Sequence, residues 1–334
     1  MKKITLAGTS LVDLIKRIDR YPQKGMLCAI GLVSQSVGGC VPNTGITLKT
    51  LAPDKIEVNA IARIGADENG NYIRCILEKH GIDARELRVD PDLPTSFTDV
   101  MTVPDGERTF FSAEGANAAF SETDIEIGSL DCSIFHLGYL LLLKTLDEPD
   151  AEYGTKAARL LAKIQKRGIK TSIDVVSRDR EKFRKTVRPA LRYSDYAVVN
   201  EIEAEYITGV PLRKGDELIR ENLHEACEKM MQAGVRERVV IHCPELGCSL
   251  SGNGKFVVVP SLELPKDFIA GAVGAGDAFC AGMLYSFLFD LSEEESLRLA
   301  SCVAACNLHA ADSINGARSL EETWKMEAVF RRKS

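Results

Sequence analysis

Apolar strand-like runs and amphipathic helical stretches alternate along most of this chain, and that alternation restricts it to few folds. Residues 3–8 and 57–63 read as short strands. Residues 71–81 then place Ile73, Ile76, Leu77 and His80 at i, i+3, i+4 and i+7, with Gly81 where a helix stop belongs. A strand at 133–137 precedes a helix at 151–167, which carries Ala157, Leu160, Leu161 and Ile164 on one face and ends at Gly168. Further strands are expected at 169–175, 196–200, 238–242 and 255–260, with a helix at 216–233 and two closing helices at 276–289 and 293–311. The pattern predicts an α/β fold: a central, mostly parallel sheet flanked by helices on both faces.

Two stretches break the rhythm. Residues 11–37 and 95–112 contain no helix pattern and read as short strands with turns. Within the second, 98–103 and 107–112 flank the tripeptide PDG at 104–106, a hairpin signal. Such a pair of insertions predicts a small β-sheet standing off the main body as a lid.

Lys and Arg number 42 against 48 Asp and Glu, a formal charge of −6, so no basic excess exists to neutralise a nucleic acid or seek an anionic membrane. A small molecule is the expected partner. The densest apolar run, FHLGYLLLL at 135–143, stops at Lys144, short of a membrane span. The opening MKKITLAGTS has no apolar core before Asp13, so the reading is a cytoplasmic protein with reduced thiols. Ten cysteines occur without a Cys-x-x-Cys pair. Cys302, Cys306 and His309 fall at i, i+4 and i+7, but small apolar neighbours favour simple helix packing over a metal site.

The most informative segment is AGAVGAGDAFCAGM at 270–283. Its glycines and alanines leave the backbone N–H groups of 274–276 uncovered at the start of an amphipathic helix, an arrangement that favours an anion such as a phosphate. Asp277 follows at that terminus, placed to take a proton from an attacking hydroxyl. No Gly-Lys-Ser/Thr follows, so this is not a Walker loop, and GxxGxG spacing is not the dinucleotide fingerprint.

VGAGDAF at 273–279 resembles the C-terminal signature of the ribokinase-like (PfkB) sugar and nucleoside kinases, and GGCVPNTGITL at 38–48 resembles the N-terminal one. GTSLVD at 8–13, RIGADENG at 63–70, GERT at 106–109 and NEIE at 200–203 match further family steps in the family's order. The resemblance covers essentially the whole chain, 1–334, as one kinase domain. It implies ATP-dependent, Mg²⁺-assisted phosphorylation of a hydroxymethyl group on a sugar or related polyol. Asp277 would be the general base, and the backbone of Gly274, Ala275 and Gly276 the anion hole. Asp13, Gly38, Gly39 and Asn43 would bind the acceptor. Asn200, Glu203 and Gly247 would serve the nucleotide, with Glu203 reaching Mg²⁺ through water. A homodimer formed through the lid is also implied.

Each residue has a plainer reading beside that one. Asp13 suits a turn cap, Asn43 a helix N-cap, and Asn200 with Glu203 a capping box. Arg178 follows Asp174 as in a family step, yet Val176 replaces that step's Asn, so a solvated Arg is expected. Three departures stand out. Gly271 replaces the Asp that helps hold a monovalent cation, which puts K⁺ activation in doubt. His242 and Pro244 alter the donor-side loop, and Cys40 stands where ribokinase itself carries a Lys. Two alternatives remain open: a nucleoside kinase, with Phe97, Phe110 or Phe111 lining a base slot, or a non-catalytic sugar- or nucleotide-binding relative.

Overall fold

A computed structural model describes residues 1–104, 106–177 and 180–333. The expected hairpin turn includes Asp105, and the solvated-Arg reading concerns Arg178; both lie outside the described residues. β1 (Lys2–Ala7) opens the chain, and β2 (Leu11–Ile18) and β3 (Ile30–Gly38) leave the main body. α1 (Cys40–Leu51) and β4 (Ile56–Ile61) return to it, and the short β5 (Arg63–Gly65) leads into α2 (Glu68–Lys79). After β6 (Arg88–Asp90) comes a hairpin of β7 (Phe97–Thr102) and β8 (Arg108–Ala113). β9 (Ile134–Leu140), β10 (Pro149–Asp150), β11 (Gly154–Thr155), α3 (Lys156–Gln165), β12 (Lys170–Val175) and α4 (Arg180–Leu191) follow. Next are β13 (Tyr196–Asn200), α5 (Glu201–Thr208), β14 (Arg213–Lys214), β15 (Glu217–Leu218) and α6 (Leu223–Ala233). β16 (Arg238–His242), β17 (Leu246–Ser251), β18 (Phe256–Pro260), α7 (Ala275–Leu288) and α8 (Glu293–Leu308) complete the body.

Eight strands form the central sheet in the order β18-β17-β16-β13-β12-β9-β1-β4. Six run parallel, and β17 is antiparallel to both neighbours. Central strands such as Tyr196–Asn200 and Arg238–His242 are rich in valine because both sheet faces are covered. On one face lies a core built on Leu137, Leu160, Ile173 and Val199; on the other, one built on Leu6, Val58, Met283 and Leu297. The four-stranded lid, ordered β3-β2-β7-β8, projects from the end of β1. Its strands fall at 11–18, 30–38, 97–102 and 108–113, over the two stretches without a helix pattern.

Three larger departures from the sequence reading stand out. The helix expected from 151 starts at Lys156, because Thr155 caps it by accepting from Ala158 N–H and Pro149–Asp150 pairs with Gly154–Thr155 instead. The helix expected from 216 starts at Leu223, since β14 and β15 form a tight hairpin around Gly215. Leu246–Ser251, unassigned from sequence, is the wholly buried antiparallel strand β17. Cys302 and Cys306 are buried in α8 as packing residues, whereas His309 stacks on Phe268 at 4.4 Å between ring centroids.

Candidate active site

In an open α/β sheet, ligands bind beyond the carboxyl ends of the strands, near the point where strand order reverses. Here that point lies between β1 and β9, and Tyr139, Asp174, Asn200 and His242 stand at or near the ends of β9, β12, β13 and β16. All four line a cavity of about 240 Å³ together with Glu203, Gly274, Gly276, Asp277 and Cys280.

Asp277 sits in the first turn of α7 and is only 5% exposed. Asn43 Nδ2 and Tyr139 Oη each donate to its Oδ2 at 2.8 Å. Burial, reinforced by the charge of Asp174, pushes the carboxyl up to about 7, while Asn43 and Tyr139 pull the other way. A carboxylate so placed is a base with a pKa matched to neutral pH. Ala278 N–H is the first to close a bond within α7, to Gly274 O at 2.8 Å, and Ala275 N–H donates back to Ala272 O at 3.4 Å, so the N–H groups of Gly276 and Asp277 are those without a backbone partner and available to an anion. Gly274 makes this start feasible: its φ is +79°, and a Cβ there would fall 2.6 Å from Ser313 Cβ.

The acceptor candidates gather on the other side of Asp277. α1 begins at Cys40 with Gly39 as N-cap, so Asn43 lies inside the helix rather than capping it. Its side chain bridges Asp277 and Ser313, whose Oγ donates to Asn43 Oδ1 at 2.8 Å. Asp13 lies within β2, paired with Ser36 and Thr98, and does not cap a turn. Gly38 admits its carboxylate, since a Cβ there would lie 2.5 Å from Asp13 Oδ2. Burial lifts the Asp13 carboxyl to about 6, opposed by the charge of Arg108 on the lid. Arg108 Nη2 also donates to Ala311 O at 3.0 Å, tying the lid hairpin to the loop after α8. Strand register puts Asp13, Thr98, Arg108, Phe110 and Ser112 on one lid face; Phe97 and Phe111 lie on the other.

A second cavity of about 590 Å³ adjoins the first through Asn200, His242 and Gly276, and has Pro244, Leu262, Leu264, Ala272, Phe279 and Ala305 in its walls. His242 stacks on Phe279 with centroids 4.7 Å apart, and burial lowers its imidazole to about 4, so the ring is neutral. Gly247 pairs with His242 one layer behind the wall, where a Cβ would come 3.2 Å from Phe279 and Leu297. Asn200 and Glu203 form the capping box of α5: Asn200 Oδ1 accepts from Glu203 N–H, and Glu203 Oε2 accepts from Asn200 N–H, both at 2.9 Å. Glu203 Oε1 accepts from Ser177 at 3.0 Å, and burial pushes its carboxyl up to about 8. The plain capping reading is therefore realised, and the same pair lines the smaller, 240 Å³ cavity.

Sequence reasoning missed Tyr139, and named Asp174 only within a family step without giving it a place in the site. Tyr139 adopts φ +59°, rare for a bulky residue, and holds its hydroxyl on Asp277 while its N–H donates to Asp174 Oδ1 at 2.6 Å. Its one sequence trace, a polar-tipped residue after Gly138 in an apolar run, is faint.

The model of the pfkB family carbohydrate kinases matches residues 1–319. The chain belongs to that family. As a pfkB carbohydrate kinase it is a phosphotransferase with an alcohol group as acceptor. It is 24% identical to the ribokinase of Arabidopsis thaliana over 310 residues, 90% of this chain and 75% of that protein. The fold is similar to the structure of Arabidopsis thaliana ribokinase complexed with ribose and ATP, with a TM-score of 0.78 at 20% identity, covering 98% of this chain and 99% of the other. It is similar also to the Methanocaldococcus jannaschii nucleoside kinase, with a TM-score of 0.75 at 16% identity over 98% and 99% of the two chains.

Proposed function

We propose that this pfkB kinase transfers the γ-phosphoryl group of ATP, with Mg²⁺, to a hydroxymethyl group of a sugar or related polyol, Asp277 acting as general base. The carrying observation is the buried Asp277 carboxylate at the N-terminus of α7, in the wall of the 240 Å³ cavity that adjoins the larger one through Asn200, His242 and Gly276. Asp277 takes the proton of the acceptor hydroxyl, and Asn43 and Tyr139 hold the carboxylate in place for it. The N–H groups around Gly274, Ala275 and Gly276 stabilise negative charge on the phosphoryl group in flight. Asp13, with the Gly38–Gly39 corner and Asn43, orients the acceptor, and the lid excludes water that would otherwise hydrolyse the donor.

The donor residues fit their groups. A mostly apolar cavity with a neutral His242–Phe279 stack suits a nucleobase. Both Glu203 oxygens are already engaged, which suits reaching Mg²⁺ through its water shell. Gly271 offers no side chain, and Arg108 occupies the Ala311 carbonyl that a Cβ at 271 would face at 3.2 Å, so turnover should not depend on K⁺. A second reading, nucleoside phosphorylation, is favoured by Phe110, the one phenylalanine of three on the acceptor face.

The test is coupled ADP release with Mg·ATP across pentoses, hexoses, sugar acids and nucleosides, with and without K⁺, and with Asp277→Asn as blank. Turnover on one acceptor class should fall by about 10²–10⁴ in kcat in the variant, the usual worth of a general base. Near-normal turnover in a folded Asp277→Asn protein would overturn the assignment. Silence on every acceptor, with ligand binding retained, would establish the non-catalytic alternative.

A further inference from the structure

Behind Asp277, three side chains of different chemistry converge from three elements: His136 of β9, Asp174 of β12 and Cys280 of α7. One ligand atom from each lies within 4.8 Å of the other two, all three residues are buried, and no other such trio exists among the described residues. His136 Nε2 stands 3.4 Å from Asp174 Oδ2 and 4.0 Å from Cys280 Sγ. A charge-assisted His–Asp bond would be about 2.7–2.9 Å long. A tetrahedral ion with bonds of about 2.0–2.1 Å to N and O and 2.3 Å to S spaces its ligands roughly 3.3–3.6 Å apart. The imidazole and carboxylate are thus spaced as two ligands of one ion, while the thiol, 4.0 Å from the imidazole and within 4.8 Å of the carboxylate, must move inward by about half an ångström or more to join them.

The surroundings complete the site. Ser172 Oγ meets His136 Nδ1 at 3.0 Å, which turns Nε2 toward Asp174 and Cys280. Tyr139 N–H fixes Asp174 through Oδ1 and leaves Oδ2 to face the ring. Asp174 and Cys280 both line the 240 Å³ cavity, which provides entry and room for a fourth ligand.

We propose that His136, Asp174 and Cys280 bind a thiophilic divalent cation of the Zn²⁺ class, and that its occupancy inhibits the kinase. The donor set of imidazole, carboxylate and thiolate selects Zn²⁺ over Mg²⁺, which prefers oxygen and water. On binding, the Cys280 thiol loses its proton to solvent and its sulfur takes up the metal bond. The ion brings two positive charges and the thiol gives up one proton, so the site gains one net positive charge near Asp277, which weakens it as a base. The inhibitory half rests on the proposed role of Asp277; the binding half does not.

Chelator-treated full-length protein is titrated with Co²⁺ as probe, alongside Cys280→Ala and a buried control, Cys302→Ala. One equivalent should give a near-ultraviolet thiolate-to-cobalt band that Zn²⁺ displaces. The band should persist in Cys302→Ala and vanish in Cys280→Ala. Its absence from the unsubstituted protein, or its survival undiminished in Cys280→Ala, would overturn the site. X-ray absorption of the Zn²⁺-loaded unsubstituted protein decides the matter should Cys280→Ala fail to fold: one sulfur with nitrogen and oxygen neighbours supports the site, and a shell without sulfur overturns it. With Mg·ATP saturating, the Zn²⁺ concentration for half inhibition should rise at least tenfold in Cys280→Ala. An unchanged value beside a lost cobalt band would overturn the inhibitory role while leaving the reading of Asp277 intact.

Discussion

Asp277 is held between opposing influences: burial and Asp174 raise its carboxyl to about 7, and donation from Asn43 and Tyr139 restrains the rise. Two pH effects follow. A base must be ionised to accept a proton, so kcat/KM should climb with pH and level off above about 7, as a pH–rate profile on the identified acceptor would show. Stability runs the other way. The folded-state value lies above the roughly 3.9 of an unfolded Asp, so the folded state holds this proton more tightly. That contribution to stability is fully present below about pH 4 and is lost as pH rises through about 7. Asp277→Asn, which cannot ionise, should therefore raise the melting temperature relative to the unsubstituted protein at about pH 8 by a few degrees more than at pH 5. Equal shifts at both pH values would show that the carboxyl is not held up by burial.

At the scale of elements, one feature serves two ends in α5. Asn200 caps the helix while facing both cavities, so a stability role and a donor-binding role are entangled in one side chain. They separate by substitution. Asn200→Ala removes the cap and should cost about 1 kcal/mol in urea unfolding. Asn200→Ser keeps a capping oxygen and should recover most of that loss, yet both variants lack the amide and should raise the KM for Mg·ATP alike. Recovery of both properties in the serine variant would reduce Asn200 to a cap alone. α7 shows a related economy: almost every residue after Gly276 is buried, and Gly282 lets α8 approach so closely that a Cβ would fall 2.6 Å from Ala300 Cα. The helix that presents Asp277 is thereby gripped on all sides, which keeps the base in position.

For the whole molecule, the lid is the element least covered by the chain itself. Val33 and Phe111, about 60% exposed, share the lid face turned away from Asp13, and β3 and β8 are the edges of its sheet. An open apolar sheet with two free edges needs a cover, and we propose that the lid of a second copy supplies it. Sedimentation analysis should find a dimer, and Val33→Glu, a charge on that surface, should shift it to monomer. A monomeric unsubstituted protein at micromolar concentration would dispose of this assembly. No helix among the described residues is long and apolar enough to cross a membrane.

Local chemistry by itself determined the α/β architecture, the lid segments and the loop ending in Asp277. The strands at 196–200 and 238–242 coincide with β13 and β16, because a valine-rich run buried on both faces is a local property. Helix starts were less legible. Residues near Glu152 and Asp216 have helical character, but paired backbone at Pro149–Asp150 with Gly154–Thr155, and at β14–β15, delays α3 and α6. Only the tertiary structure decided what surrounds the base. Asn43 and Tyr139 reach Asp277 across 234 and 138 residues of sequence, and His136, Asp174 and Cys280 meet from three separate elements. Periodicity records which face a residue turns inward, whereas the partner it meets there depends on how the sheet orders its strands. In this chain that order brings the ends of β9 and β12 against the first turn of α7.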